Sequence, residues 1–564
     1  MSGIISTTYK RLLKSAWFMI LLVPMSILSI YMYVTDNYQI GIYMNSSMMI
    51  NVYYCVLFPL LGAYLHQSIS EYELSLFPKI QILTCKLVAG FLFCFSALVF
   101  PLSFLIYTFL AGHIALDLFS NYLFFLVGSW FMQSIFLLIV GGVIGVIKVK
   151  KGLAYALAFF ASLIVSPFFQ NFIIAIFHEW EHNRLAMMTL NLLNISFEEN
   201  FRERYLSYGV ISNNEFAYSF AFYVFFGLLM ILLYYFVSIT LKKRTRTISG
   251  ILAFLSFLAL CMFGTLYYQL APVIHDFTPY YHYYEERPLR GKIDVLFEER
   301  DDPLIISKYD MDITMKTRFK NSCTLIIDNP SDLYSTDEIE LKLDSCFDID
   351  GISMGGFSVD YKRNSNYIML LNTKIKAKEQ IIITITYSGR IDYVDYLHAR
   401  SFFCTDNAAY LPELFSWYPK LIGTDNEKEF NVKVNANNNL VSNLSDHKAI
   451  PKASNLILQG TRKDIYLFTG YIETAQLGNK AFTMPQEYVR NMKGVEKAKK
   501  IYQIFSEAEE LYLGSLFSDE RLIPKEKFLE TTAFVFVPFS YNMVGASYLF
   551  EDVVFVSEAI LNYY

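Results

Sequence analysis

The chain has 564 residues, 54% of them hydrophobic and 17% aromatic, with a formal net charge of -5. That balance, with no basic patch interleaved with aromatics in the polar part, excludes a general nucleic-acid binder. The composition divides the chain: residues 1–271 are apolar and aromatic, whereas residues 272–564 carry Lys, Asp, Glu and Asn throughout, as a water-exposed domain does.

In chain order, Lys10, Arg11 and Lys14 open a cytoplasmic amino terminus. Seven apolar runs follow, at residues 16–34, 49–65, 87–110, 122–147, 153–177, 218–240 and 248–271. About 20 such residues cross a bilayer as a helix. The first run has no small-residue cleavage pattern after it, so it reads as a retained signal anchor. Cations gather at Lys79 and Lys86, at Lys148, Lys150 and Lys151, and at Lys242, Lys243, Arg244 and Arg246. These are alternate ends of the runs, as expected when positive loops stay inside. Arg184, Arg202 and Arg204 stand against the pattern. The expectation is a multi-pass cell-membrane protein with its amino terminus in the cytoplasm and its carboxyl half outside.

Residues 272–304 read as a juxtamembrane linker, and the tyrosines of 280–284 as an aromatic belt at the headgroups. Over residues 305–480 the period is two: Met311, Ile313 and Met315 alternate with polar residues, as do Ile339, Leu341 and Leu343. This predicts an antiparallel β domain. Over residues 481–564 the pattern changes to an amphipathic helix at 495–513, followed by strands at 532–538 and 553–557. The predicted fold class is an α-helical polytopic membrane domain of about seven spans, followed by a β-rich and then an α/β extracytoplasmic domain. Cys323, Cys346 and Cys404 allow at most one bridge in this half, and Cys323 with Cys346 is the candidate pair, although spacing alone does not fix pairing.

The sharpest chemical motif is His178-Glu179-Trp180-Glu181-His182. On a helix the two imidazoles share a face, so His178 and His182 could ligate Zn²⁺ with Glu179 as general base. Glu198 or Glu199 would be a third ligand. The competing reading is a polar helix end at the membrane surface, with Trp180 as an interfacial anchor. No GxxxxGK[ST] loop occurs anywhere, and the cytoplasmic loops are too short for a nucleotide-binding domain.

The order of parts in the first six runs resembles the permease half of an ABC-2-type transporter. That resemblance implies that residues 66–84 dock as a coupling helix on a separate ABC ATPase, through Glu71, Tyr72 and Glu73, with Pro78 and Lys86 behind them. It further implies ATP on the partner subunit, no directly bound cofactor, a second identical or different permease chain, and membrane lipids as neighbours.

The carboxyl half is similar to the amino-terminal region of the M1 aminopeptidases, which are gluzincin metallopeptidases. The similarity rests on residues 377–391, on Leu411-Pro-Glu-Leu-Phe-Ser-Trp-Tyr-Pro419, and on Phe430-Asn-Val-Lys-Val434 and Leu440-Val-Ser-Asn443. It continues through Phe536-Val-Pro538, Gly545-Ala-Ser547 and residues 553–558, which resemble that family's strand lying along the bound peptide. The family's zinc helix would follow Glu558, and the sequence ends at Tyr564. Ser547 and Tyr548 stand where its substrate-gripping acid is expected. Together the resemblances imply a permease subunit of an ATP-driven exporter that handles peptide-like cargo, with a non-catalytic outer domain, and no enzyme. The alternatives are a membrane-anchored zinc metallopeptidase using His178, Glu179 and His182, or a non-catalytic scaffold partner of a complete peptidase.

Overall fold

The structure is a computed structural model that describes residues 2–24, 48–67, 79–97, 99–127, 132–146, 151–164, 208–209, 213–237, 243–270, 304–394, 400–413, 415–421, 426–452, 455–507, 530–538, 547–550 and 552–557, with a few shorter pieces between them. The chain divides into two compact units: Met1–Leu206 with Ile211–Ala271, and Ser207–Val210 with Pro272–Tyr564.

The first unit is helical: α1 (Ser2–Leu13), α2 (Met48–Gln67), α3 (Lys79–Ala97), α4 (Val99–Leu110), α5 (Leu116–Phe125), α6 (Met132–Val146), α7 (Lys151–Ile164), α8 (Asn213–Val237) and α9 (Lys243–Leu270). Among the described residues, two helices are long and apolar enough to cross a membrane: Thr84–Leu110, which runs through α3 and α4, and Lys243–Tyr267 in α9. The apolar stretches Ser134–Gly145, Gly152–Leu163 and Phe220–Leu233 are shorter. This corrects the expectation of a seven-span polytopic domain. Apolar composition is necessary for a span, but an unbroken helix of about 30 Å is what spans. The apolar stretch described within the run at 122–147, Ser134–Gly145, is shorter than that. Lys86, read from the sequence as a loop-end cation, instead lies within α3 and is buried.

Glycines set the helix contacts. A Cβ on Gly141 of α6 would collide with the Pro59 carbonyl of α2, and one on Gly62 of α2 with the Leu138 carbonyl of α6. One turn on, a Gly145 Cβ would sit 2.8 Å from the His66 Cβ. Gly141 and Gly145 form a small-xxx-small stripe that lets the two backbones touch. α8 and α9 run antiparallel. Phe225 stacks on Phe263 at 5.5 Å, and at the other end Gly250 lies against Phe236.

The second unit is built from strands: β1 (Ile305–Thr314), β2 (Phe319–Asp328), β3 (Ile339–Lys342), β4 (Phe347–Met354), β5 (Phe357–Ser358), β6 (Tyr361–Asn364), β7 (Tyr367–Leu370), β8 (Gln380–Gly389), β9 (Asp392–Val394), β10 (Arg400–Cys404), β11 (Ala409–Leu411), β12 (Lys420–Leu421), β13 (Lys428–Asn435), β14 (Asn439–Ser442), β15 (Leu456–Arg462), β16 (Leu467–Gly470), β17 (Ile472–Leu477), β18 (Lys480–Pro485), β19 (Glu510–Leu511), β20 (Ile523–Pro524), β21 (Ala533–Val537), β22 (Ser547–Phe550) and β23 (Val553–Ser557). Helices α10 (Gln486–Arg490) and α11 (Met492–Glu507) follow β18.

The largest sheet has the order β15-β13-β1-β2-β8-β4-β5. Its alternation is clean in β2, where every second residue from Phe319 is buried. The opposite face carries a polar ladder: Lys308 to Glu429 at 2.7 Å, Lys433 to Asp312 at 2.8 Å, and Thr324 with Thr384 at 2.9 Å. Solvent-facing pairs of this kind add little stability, but they oppose a one-residue slip, which would turn the ladder into the core. β1 and β13 pair in parallel, so the sheet is mixed where alternation alone predicted an antiparallel one. Underneath, Tyr309 stacks on Phe430 at 5.1 Å, and the Tyr387 hydroxyl donates to the Trp417 carbonyl at 2.9 Å while accepting from Asn321. Burial pushes the Tyr309, Tyr387 and Tyr418 hydroxyls upward, so they remain neutral donors. Cys323 and Cys346 are both free. Cys323 is fixed inward on β2 opposite Ile385, whereas Cys346 immediately precedes β4, so the candidate bridge does not form.

Replacing Gly141 by Ala forces backbone against backbone, where no rotamer can relieve it. We expect a loss of about 1–3 kcal/mol, read as an earlier helical melt of the detergent-solubilised chain. Gly152→Ala, where an added Cβ meets nothing within 4 Å, should melt like the parent.

Candidate functional site

Glu71, Tyr72 and Glu73 lie outside the described residues, as do His178, Glu179, His182, Glu198 and Glu199. Among the described residues no group of three or more His, Cys, Asp or Glu side chains could hold a metal ion.

The structure instead singles out a mixed sheet of order β17-β18-β21-β23-β22. β18, β21 and β23 are parallel. Their sequences explain why: β21 reads AFVFV with every residue buried, the continuous apolar run of a strand covered on both faces. β22 turns back antiparallel to β23, with Phe550 opposite Val553. β22 is the last strand on that side, so among the described residues its outer edge has no ladder partner.

The turn of this β22–β23 hairpin is held by Asp552. Its Oδ1 meets His447 Nε2 at 2.8 Å, and its backbone carbonyl accepts from the Thr532 amide at 3.1 Å. Thr532 Oγ1 also donates to Oδ2 at 3.2 Å. The other ring nitrogen of His447, Nδ1, lies 2.8 Å from Tyr466 Oη. One arrangement satisfies both neighbours, with Nε2–H donating to the carboxylate and Nδ1 accepting from the Tyr466 hydroxyl. The His447 side chain is 3% exposed and that of Asp552 51%. The ring lies nearly parallel to Tyr466, with centroids 5.9 Å apart, and Tyr466 meets Phe555 of β23 edge-on at 4.8 Å.

Backbone strain marks the same place. Asp446 and His447 are consecutive non-glycine residues at φ 50° and 56°, a left-handed pair that costs energy unless its surroundings hold it. The His447 amide donates to the Ser442 carbonyl at 3.1 Å, and the His447 carbonyl accepts from Thr483 Oγ1 at 3.3 Å. No motif announced His447. The available signal was only the Asn, Ser, Asp and His cluster of a tight turn at 443–447. The hydrogen bond from His447 is the main reason that Asp552 is held down at about 2, against the opposing effect of burial.

A second cluster joins Lys420, Asp464 and Tyr418. Lys420 Nζ is 2.7 Å from Asp464 Oδ1 and 4.8 Å from the Tyr418 ring centroid, and the Tyr418 hydroxyl donates to the same oxygen. Every polar partner here is satisfied within the β unit, so the cluster is a core tie rather than a reactive group.

No family model matches the chain, and no curated protein matches it. Solved structures do. One is an M1 zinc metallopeptidase mutant from Deinococcus radiodurans, at 13% identity and TM-score 0.29, covering 46% of this chain and 61% of that one. Another is leukotriene A4 hydrolase from Saccharomyces cerevisiae, at 12% identity and TM-score 0.29, covering 49% of this chain and 44% of the hydrolase. The chain thus spans less than two thirds of the length of these structures. The expectation of a non-enzymatic ABC-2 permease subunit rested on about seven spans; among the described residues two helices are long and apolar enough to cross a membrane, and that expectation is set aside.

Asp552 has its pKa lowered by folding, so it stabilises the folded chain above the ordinary carboxylate range, and that contribution is lost as pH falls from about 4 towards 2. Because the carboxylate is half exposed, the effect is about 1 kcal/mol after solvent screening. Asp552→Asn should remove this part of the acid transition, measured as melting temperature against pH. An identical pH profile in the variant would contradict the assignment.

Proposed function

We propose that the chain is a membrane-attached, peptidase-like protein whose carboxyl-terminal unit receives an extended peptide along β22. The observation that carries this reading is the outer edge of Ser547–Phe550, free among the described residues, in a sheet whose central strand is fully buried. An unpaired edge presents main-chain donors and acceptors that a peptide can satisfy as an added strand. The sequence resemblance of residues 536–558 to the peptide-aligning strand of the M1 enzymes supports the same use. The apolar helices Thr84–Leu110 and Lys243–Tyr267 support attachment to a membrane, and the cations ahead of the second support an extracytoplasmic carboxyl unit.

In this reading hydrolysis would draw on the His178-Glu179-His182 motif.

Two measurements test the reading. Strand addition predicts that methylating alternate backbone nitrogens of a bound peptide weakens binding about fivefold for each hydrogen bond lost, and methylating the intervening ones does not. Equal binding of both series would exclude β22 as the receiving edge. Full-length chain incubated with quenched-fluorescent peptides should lose turnover on His178→Ala and on His182→Ala alike. Turnover that survives both substitutions would remove the motif from the chemistry.

A further inference from the structure

The carboxyl-terminal unit takes in Ser207–Val210, a stretch that the sequence places in the helical half, and Tyr208 and Gly209 are its described residues. Tyr208 and Gly209 stand just ahead of α8, yet both are buried in the β unit. Tyr208 is fully buried. Its hydroxyl donates to the Phe536 carbonyl at 2.9 Å, near the carboxyl end of β21, and its carbonyl accepts from the Tyr471 amide at 3.1 Å. Its ring packs on Phe468 of β16 at 5.6 Å.

Two glycines shape the seat from both sides. Gly209 has φ +79°, and a Cβ there would run into the Tyr471 ring. A Cβ on Gly470 would lie 2.7 Å from the Tyr208 carbonyl oxygen. One side chain, one main-chain pair and two obligatory glycines therefore read the same dipeptide. That is recognition of a kind ordinarily seen for a bound peptide, supplied here by the chain itself.

We propose that Phe468, Gly470, Tyr471 and Phe536 form a receptor for a Tyr-Gly segment, occupied in cis by Tyr208–Gly209, and that this strap sets the local stability of β21 and of the β22–β23 hairpin paired to it. β21 hands its order to β23 through a parallel ladder that runs from Ala533 opposite Val553 to Val537 opposite Ser557. A strap acting on Phe536 is therefore transmitted to β23 and, through it, to β22, whose outer edge has no ladder partner among the described residues. Its partner is specified by chemistry: an aromatic hydroxyl followed by a residue without a Cβ, on a stretch of chain continuous with α8. The inference does not depend on β22 binding peptide.

Hydrogen exchange on the full-length chain, with and without substitution, decides it. Tyr208→Phe keeps the ring and removes only the hydrogen bond, so residues 533–557 should exchange roughly fivefold faster while β1 and β2 stay unchanged. Gly209→Ala should act in the same direction through the Tyr471 ring. Tyr208→Ala should have the largest effect, and if that variant does not accumulate, the first two decide alone. Phe357→Ala, at an 80% exposed position, is the control and should leave 533–557 as in the parent. Unaltered exchange across 533–557 in Tyr208→Phe and Gly209→Ala would overturn the proposal. So would acceleration of residues around 208 alone, or equal acceleration in β1 and β2.

Discussion

A single buried imidazole ties the turn after β14 to the sheet that carries the candidate site. His447 reaches across from the turn after β14 to the Asp552 carboxylate in the β22–β23 turn, and its second nitrogen is taken by the Tyr466 hydroxyl. Because both nitrogens are engaged, the ring cannot rotate without leaving a buried polar atom unsatisfied, which costs more than the bond contributed. The consecutive left-handed residues Asp446 and His447 are tolerated because these bonds hold them. The same contact anchors the hairpin turn, and with it the strand β22 whose outer edge is open among the described residues.

The two units achieve close packing by opposite means. In the helical unit, the absence of side chains on Gly62, Gly141 and Gly145 brings α2 and α6 into backbone contact. In the β unit, large aromatics fill the space between sheets: Trp417, Tyr309, Tyr387, Tyr418 and Tyr466 are all fully buried. Each of those tyrosines adds a directional hydrogen bond to its apolar bulk, so the core is both dense and specific in register.

Much of the β unit is legible in the amino-acid pattern alone. The alternation of Met311, Ile313 and Met315, or of Ile339, Leu341 and Leu343, identifies strands with one buried face, and β1 and β3 lie there. The apolar runs at 532–538 and 553–557 hold β21 and β23. The helix expected at 495–513 is α11, which begins earlier and ends at Glu507. The helical half is less legible, because hydropathy counts apolar residues and not helix continuity. The run at 153–177 is apolar in sequence, and the apolar helix described there, Gly152–Leu163, is short. The HExxH motif and the Glu71-Tyr72-Glu73 loop lie outside the described residues, so their chemistry rests on the sequence.

The sequence by itself determined what depends on periodicity and composition: the strand character of the second half and the apolar runs that hold β21 and β23. These are local properties, set by the side-chain period of two and by the transfer free energy of apolar groups. Only tertiary structure decided the parallel pairing of β1 with β13, the bond between His447 and Asp552, and the insertion of Tyr208 beneath Phe536. Each joins residues about a hundred or more positions apart, and no local pattern encodes which distant partner will satisfy a buried donor.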